Sequence, residues 1–210
     1  NILEISRKYK VKHLIFCSTS GVYGLVKKKS LDETMQISKP IQFYAATKSS
    51  NEIMAYSYSH LYKIPVSIVR LFTVYGPWGR PDMALFIFTK QILNNKKINL
   101  FNYGNHYRSF SYIDDIVRGL KAISNHPPKS KIPYNNYNLG SGENIKLTEM
   151  IKILEKLLNK KAKIKYKKLQ VGDIKSSIAN ISKLKKKFNF KPKVSFEEGI
   201  KKFVDWYKNF

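Results

Sequence analysis

The feature that most constrains this chain is an alternation of short apolar runs of strand type with longer stretches of helical period. Between residues 11 and 72, VKHLIFCS is followed by YAATKSSNEIMAYSYSHLY and then by PVSIVRLF. Leu14, Ile15 and Phe16 are consecutive, the pattern of a parallel strand covered on both faces rather than one. The spacing predicts a helix over 44–62, and Pro65 opens the next strand. Ile2, Leu3 and Ile5 set one apolar helical face ahead of the first run. A helix feeding a buried strand is the second half of a β-α-β unit, so the first half is expected upstream of Asn1.

The alternation continues. A loop is expected over 74–83, where Gly76, Pro77, Gly79 and Pro81 fall together, then a helix over 84–95 and a strand over 98–101. Helices are expected at 113–124, 147–158, 183–188 and 196–208, with strands at 134–139 and 162–167. This predicts an α/β fold with a parallel sheet and a smaller mixed region toward the C-terminus.

Composition narrows the partners. Of 210 residues, 43% are apolar and 13% aromatic, enough for a core and too many for a disordered tail. Cys17 is the single cysteine, which excludes a disulfide framework and a multi-cysteine metal site. No apolar run approaches the roughly 18–20 residues of a membrane span. The net charge of +25 invites a nucleic-acid reading, but 34 of the 39 basic residues are Lys and 5 are Arg. Base and phosphate readers favour the Arg fork. Tracts such as NKKAKIKYKK keep apolar spacing, so a solvated Lys-rich surface is expected and no nucleic-acid partner. The four His are scattered without metal-ligand spacing; no metal is expected, and none is given a role.

Tyr44 and Lys48 stand at i and i+4, so on a helix both face one side. An ammonium beside a phenol favours the phenolate, which makes Tyr44 a candidate general base toward a sugar hydroxyl. Upstream, CSTSGVYG places hydroxyls at the C-terminal end of a strand, where ligands of open α/β sheets bind. Thr19, 25 residues before Tyr44, can hydrogen-bond the reacting hydroxyl. Gly140-Ser-Gly142 follows a strand, but Ile145 stands where a third glycine would, and it is rejected as a pyrophosphate loop. No GxxGxxG occurs among the ten glycines.

Together, STSGVYG, YAATK, RLFTVYGPWGRPDMA, NHYRSFSYIDDIV, YNLGSGENIKL and LQVGDI make the chain resemble the extended short-chain dehydrogenase/reductases that act on nucleotide sugars. The resemblance implies the C-terminal part of a Rossmann-type parallel sheet plus a smaller mixed α/β substrate-binding domain. Residues 1–75 would be the second half of the NAD-binding domain, with strand 134–139 returning to it, and 76–210 mainly the nucleotide-sugar domain. It implies a Thr19, Tyr44, Lys48 triad that also touches NAD, with Phe72 lining the nicotinamide side. Where dehydratase members carry Asp-Glu after the triad Thr, this chain has Ser20 and Gly21, which argues against dehydration. TVYGPWGRPDMA and LQVGD are similar to segments of UDP-glucuronate 4-epimerases, implying that Thr73 and Arg80 contact the uronate or its surroundings. Arg108, in HYRSF, resembles the family's diphosphate-pairing Arg, and Asp173, in VGD, resembles a family position near the uridine ribose. Asn180 stands where many members have an acid, and Asp114 or Asp115 is expected to cap a helix.

The implied reaction is 4-epimerisation through a transient 4-keto sugar, with NAD as cofactor and a UDP-sugar as substrate. UDP-glucose or UDP-N-acetylhexosamine 4-epimerase and UDP-glucuronate decarboxylase are the alternatives within the enzyme class. A truncated non-catalytic remnant and a basic binding protein are those outside it. The glycine loop is expected upstream, so these 210 residues alone are expected neither to retain NAD nor to turn over. A homodimer through a bundle including helix 44–62, and a cytoplasmic setting, are likewise implied.

Overall fold

Strand order follows from where the most apolar runs must go. The computed structural model describes residues 1–26, 30–37, 39–170 and 172–209. Helix α1 (Ile2–Lys8) leads to strand β1 (Leu14–Thr19), helix α2 (Phe43–Tyr62) and strand β2 (Val66–Leu71). β1 and β2 are parallel, with Leu14 opposite Val66 and Thr19 opposite Leu71. β2 is buried from Val66 through Arg70, as a central strand with layers on both faces must be. α2 ends where Lys63 turns left-handed (φ 56°) and returns its amide to the Ser59 carbonyl. Pro65, two residues on, blocks any continuation.

The remaining elements are β3 (Thr73–Tyr75), α3 (Ala84–Leu93), β4 (Lys97–Leu100), a 3-10 turn (Phe101–Gly104), β5 (Tyr107–Arg108), β6 (Phe110–Tyr112) and α4 (Ile113–Ser124). After them come β7 (Tyr134–Leu139), β8 (Ile145–Lys146), α5 (Leu147–Leu158), β9 (Lys163–Tyr166), β10 (Ser176–Ser177), α6 (Ser182–Phe188) and α7 (Phe196–Asn209). β7 joins the far edge of β2 in parallel, giving the order β1-β2-β7. This α/β architecture with parallel sheets is the expected class. β4 and β9 pair in parallel, within a residue or two of the predicted strands.

Three short features depart from expectation. Thr73–Tyr75, expected to run into a loop, forms β3 and pairs in parallel with β6. β5 pairs with β8 on one side and β10 on the other. Strands of two or three residues are too short to show a period of two, so tertiary pairing creates them. Asp114 and Asp115 lie in the first turn of α4 without capping it; the cap position is Tyr112, which makes no side-chain cap bond.

One core lies between α3, α5, α7 and the β3–β6 pair, around Phe88, Ile98, Met150, Leu154, Ile200 and Phe203. A second lies on the three-stranded sheet and includes Val69, Tyr137 and Leu139 with Ile116 and Ile123 of α4 and Leu184 of α6. Chain beyond residue 75 thus returns to that sheet through α4, β7 and α6. α4 approaches so closely that a Cβ on Gly119 would lie 2.4 Å from a Leu139 methyl.

Candidate active site

The site begins at the C-terminal end of β1. Thr19 is the last strand residue, and its Oγ1 accepts a hydrogen bond from the Gly21 amide at 3.2 Å, tightening the turn that follows. A Cβ on Gly21 would lie 3.2 Å from that of Ala45, so glycine here lets the start of α2 close on the Thr19 turn. Tyr44 sits in the first turn of α2, half exposed, and its hydroxyl makes no hydrogen bond among the described residues. One turn on, Lys48 Nζ donates to the Cys17 carbonyl at 3.0 Å and stands 5.8 Å from the Tyr44 ring centroid.

Arg80 lies in the loop after β3, where Asp82 and, more weakly, the nearby Tyr44 favour its charged form. Its guanidinium grips Asp82 through two contacts, 3.0 and 2.5 Å, on an exposed surface. An exposed pair of this kind contributes little, so a competing carboxylate can take the fork. Thr73 opens β3 and lines a small apolar cavity with Tyr75, Leu85 and Arg108. Phe72, expected on the cofactor side, is 6% exposed and belongs to the second core, with its Cβ beside Gly140.

Arg108 and Asp173 form a second cluster. Arg108 Nη2 lies 3.2 Å from Asp173 Oδ1, and both border a cavity of about 400 Å³ with Asp82, Gln91, Asn99, Phe101 and His106. Burial lowers the Arg108 pKa against the opposing pull of Asp173. His106, given no role from sequence, is 2% exposed, with Nε2 2.8 Å from Asp173 Oδ2 but not aligned for a hydrogen bond. Burial keeps its imidazole below the ordinary range although Asp173 favours the charged form. No local signal points to it: His106 lies just outside the two-residue β5, which is too short to show a strand period.

Two links tie the clusters together. Ser177 donates to Ser20 at 3.2 Å, and the Gln42 amide donates to the Gly172 carbonyl at 3.2 Å. The segment carrying Asp173 therefore folds over the Thr19 turn and the start of α2; Val171 within it lies outside the described residues. The Gly140 loop does no such work: a Cβ there would lie 3.1 Å from Ala179 and 3.4 Å from Phe72. That position is a packing junction.

Two buried residues were not anticipated. Glu52 and Arg70 pair beneath Lys48, with Arg70 Nη2 2.7 Å from Glu52 Oε2. Both were legible in principle. Glu52 continues the i, i+4 row of Tyr44 and Lys48, and Arg70 interrupts an apolar strand, where a charge demands a partner.

Known proteins share this fold. A model of the NAD dependent epimerase/dehydratase family matches residues 1–140. Protein CapI of Staphylococcus aureus is 43% identical over 221 residues, spanning 99% of this chain and 66% of that protein. A UDP-glucuronate 4-epimerase of Thermodesulfobacterium geofontis is 44% identical over 209 residues, 99% of this chain and 63% of that protein. The crystal structure of UDP-glucuronic acid 4-epimerase from Bacillus cereus in complex with UDP-glucuronic acid and NAD superposes with a TM-score of 0.92 at 35% identity. It is covered over 65% of its length by 99% of this chain. The chain thus spans a little under two thirds of each relative. By sequence over most of its length and by fold over nearly all of it, this chain belongs to the NAD-dependent epimerase/dehydratase family.

Proposed function

We propose that the protein carrying this chain is an NAD-dependent UDP-sugar 4-epimerase, with UDP-glucuronate and UDP-galacturonate as its substrate pair. The observation that carries the reading is the Tyr44–Lys48 pair against the end of β1.

The residues fit the nicotinamide-ribose end of such a cofactor. Lys48 donates once, to Cys17, which leaves two N–H donors for ribose hydroxyls, and the Tyr44 hydroxyl is free to pair. Thr19, Tyr44 and Lys48 would hold NAD, with Phe72 behind them in the core. When bound, NAD supplies the hydride acceptor and donor at the sugar C4.

The chain's own groups do the rest. Tyr44 takes the C4 hydroxyl proton and returns it after the sugar has turned over. Thr19 Oγ1 hydrogen-bonds the reacting oxygen, and the Lys48 ammonium stabilises charge on the phenol. Arg108 pairs with the diphosphate, while Asp173 meets the uridine ribose and orders Arg108. Thr73 and the Arg80 fork receive the uronate carboxylate, with Asp82 as the group displaced. That hold matters because the 4-keto uronate is a β-keto acid. It loses CO2 when the carboxylate bond aligns with the carbonyl π system, and a planar two-point grip keeps it out of that alignment.

A homodimer and a cytoplasmic setting belong to the same reading; the exposed Ile53, Met54 and Leu61 on α2 support a homodimer. The test is incubation with UDP-glucuronate and NAD, with products resolved by chromatography. UDP-galacturonate is expected. UDP-xylose with CO2 would make the protein a decarboxylase, and turnover of UDP-glucose alone would remove the uronate from the assignment.

A further inference from the structure

A buried polar network lies directly behind Thr19, Tyr44 and Lys48. Glu52 is 2% exposed and Arg70 3%. Arg70 holds both carboxylate oxygens, through Nε at 3.1 and 3.3 Å and Nη2 at 2.7 Å. Ser18, the neighbour of Thr19, donates to Glu52 Oε1 at 2.5 Å. Arg70 Nη1 donates to the Tyr23 hydroxyl at 3.0 Å, which in turn donates to Asn138 Oδ1 at 2.7 Å. The network therefore joins α2, β1, β2, β7 and the turn after Thr19.

Two consequences follow from where it sits. Tyr44, Lys48 and Glu52 occupy successive turns of one face of α2. Lys48 reaches the Cys17 carbonyl and Glu52 reaches the Ser18 hydroxyl, so adjacent turns of α2 engage adjacent residues of β1. The helix cannot slide or rotate against the strand without breaking both contacts. The second consequence is electrostatic. A carboxylate four residues from a Lys attracts its ammonium, and the attraction grows where water is excluded. Arg70 occupies both Glu52 oxygens, which leaves the Lys48 amine on Cys17 and beside Tyr44.

We propose that Glu52 and Arg70 are positioning residues for the Thr19, Tyr44, Lys48 group: Arg70 sequesters the Glu52 carboxylate so that Lys48 serves Tyr44. The link to turnover rests on the epimerase reading above; the placement of Lys48 does not.

Two readouts keep them apart. The first is labelling of Lys48 by a limiting amine-acetylating reagent, followed by peptide mass spectrometry on the protein without substrate. In Arg70→Met the unmasked Glu52 captures Lys48, and its labelling is expected to slow about threefold or more while distant lysines keep their rates. In the double variant Glu52→Gln/Arg70→Met, which removes both charges at similar volume, labelling returns toward the original rate. The second readout is turnover. Arg70→Met is expected to lose about tenfold or more in kcat with KM changed less than about threefold, and the double variant, unfolding at nearly the original temperature, to recover most of that loss. Should Arg70→Met fail to fold, Arg70→Lys keeps the charge, loses the fork, and is read by the same labelling. Lys48 labelling unchanged in the single variant overturns the proposal. So does full kcat in Arg70→Met. A wild-type protein that turns over no UDP-sugar sinks the epimerase reading alone, because the labelling result stands without it.

Discussion

In the proposed uronate reaction, Arg80 carries the heaviest chemical demand for the least structural support. It stands on a loop, is mostly exposed, and is held by Asp82 alone among the described residues. Its value lies in the planar fork, which a neutral sugar cannot use. Arg80→Ala is therefore expected to cut kcat/KM for UDP-glucuronate about a hundredfold while UDP-glucose changes less than about threefold. Steady-state rates on the two substrates check this, and equal losses would remove Arg80 from the carboxylate. His106 makes the opposite point. It is buried, and an isolated histidine carries no spacing signal in the sequence. Its meaning comes from Asp173, 67 residues further along the chain and 2.8 Å away.

The elements place these residues through contacts their own sequences do not announce. α4 was readable from its apolar spacing, and its bounds are those expected. The task of Asp115 was not. Instead of capping α4, its buried carboxylate accepts the backbone amides of Lys193 and Val194 at 3.1 Å and pairs with Arg118. One side chain thereby fixes where the chain enters α7. Asp115→Ala leaves two amides and a guanidinium without their acceptor and is expected to cost about 2–4 kcal/mol of stability. Urea unfolding measures it, and a loss below about 0.5 kcal/mol would show that water serves these amides as well. The same holds for β3, β5, β8 and β10. Each is too short for a periodic signal, and each exists because a partner strand supplies the hydrogen bonds.

At the scale of the molecule, the excess of 25 positive charges and the five arginines divide the electrostatic work. Most lysines are solvent-facing, whereas Arg70 and Arg108 are drawn inward to Glu52 and Asp173. The sequence singled out Arg80 and Arg108; the folded chain adds Arg70, the most buried of the five. On the proposed UDP-glucuronate, with its diphosphate and carboxylate, the diffuse lysine field would act at a distance. Raising ionic strength from about 0.02 to 0.2 M is expected to lower kcat/KM for UDP-glucuronate several-fold with kcat unchanged. A flat response would confine the lysines to solvation. Among the described residues no helix is long and apolar enough to cross a membrane.

By itself the sequence determined the parallel α/β class, the long helices to within a residue or two, and the Tyr44–Lys48 pair. Each of these is local: helical and strand periods repeat within a dozen residues, and i, i+4 fixes a shared face wherever a helix forms. Only the tertiary structure decided that Lys48 rests on Cys17, that Glu52 is claimed by Arg70, and that Asp173 meets both Arg108 and His106. Those pairings join residues 18 to 67 positions apart, and no local pattern specifies which distant partner a buried charge will find. It is packing that selects the partner, because a charge removed from water must be matched where the fold leaves it.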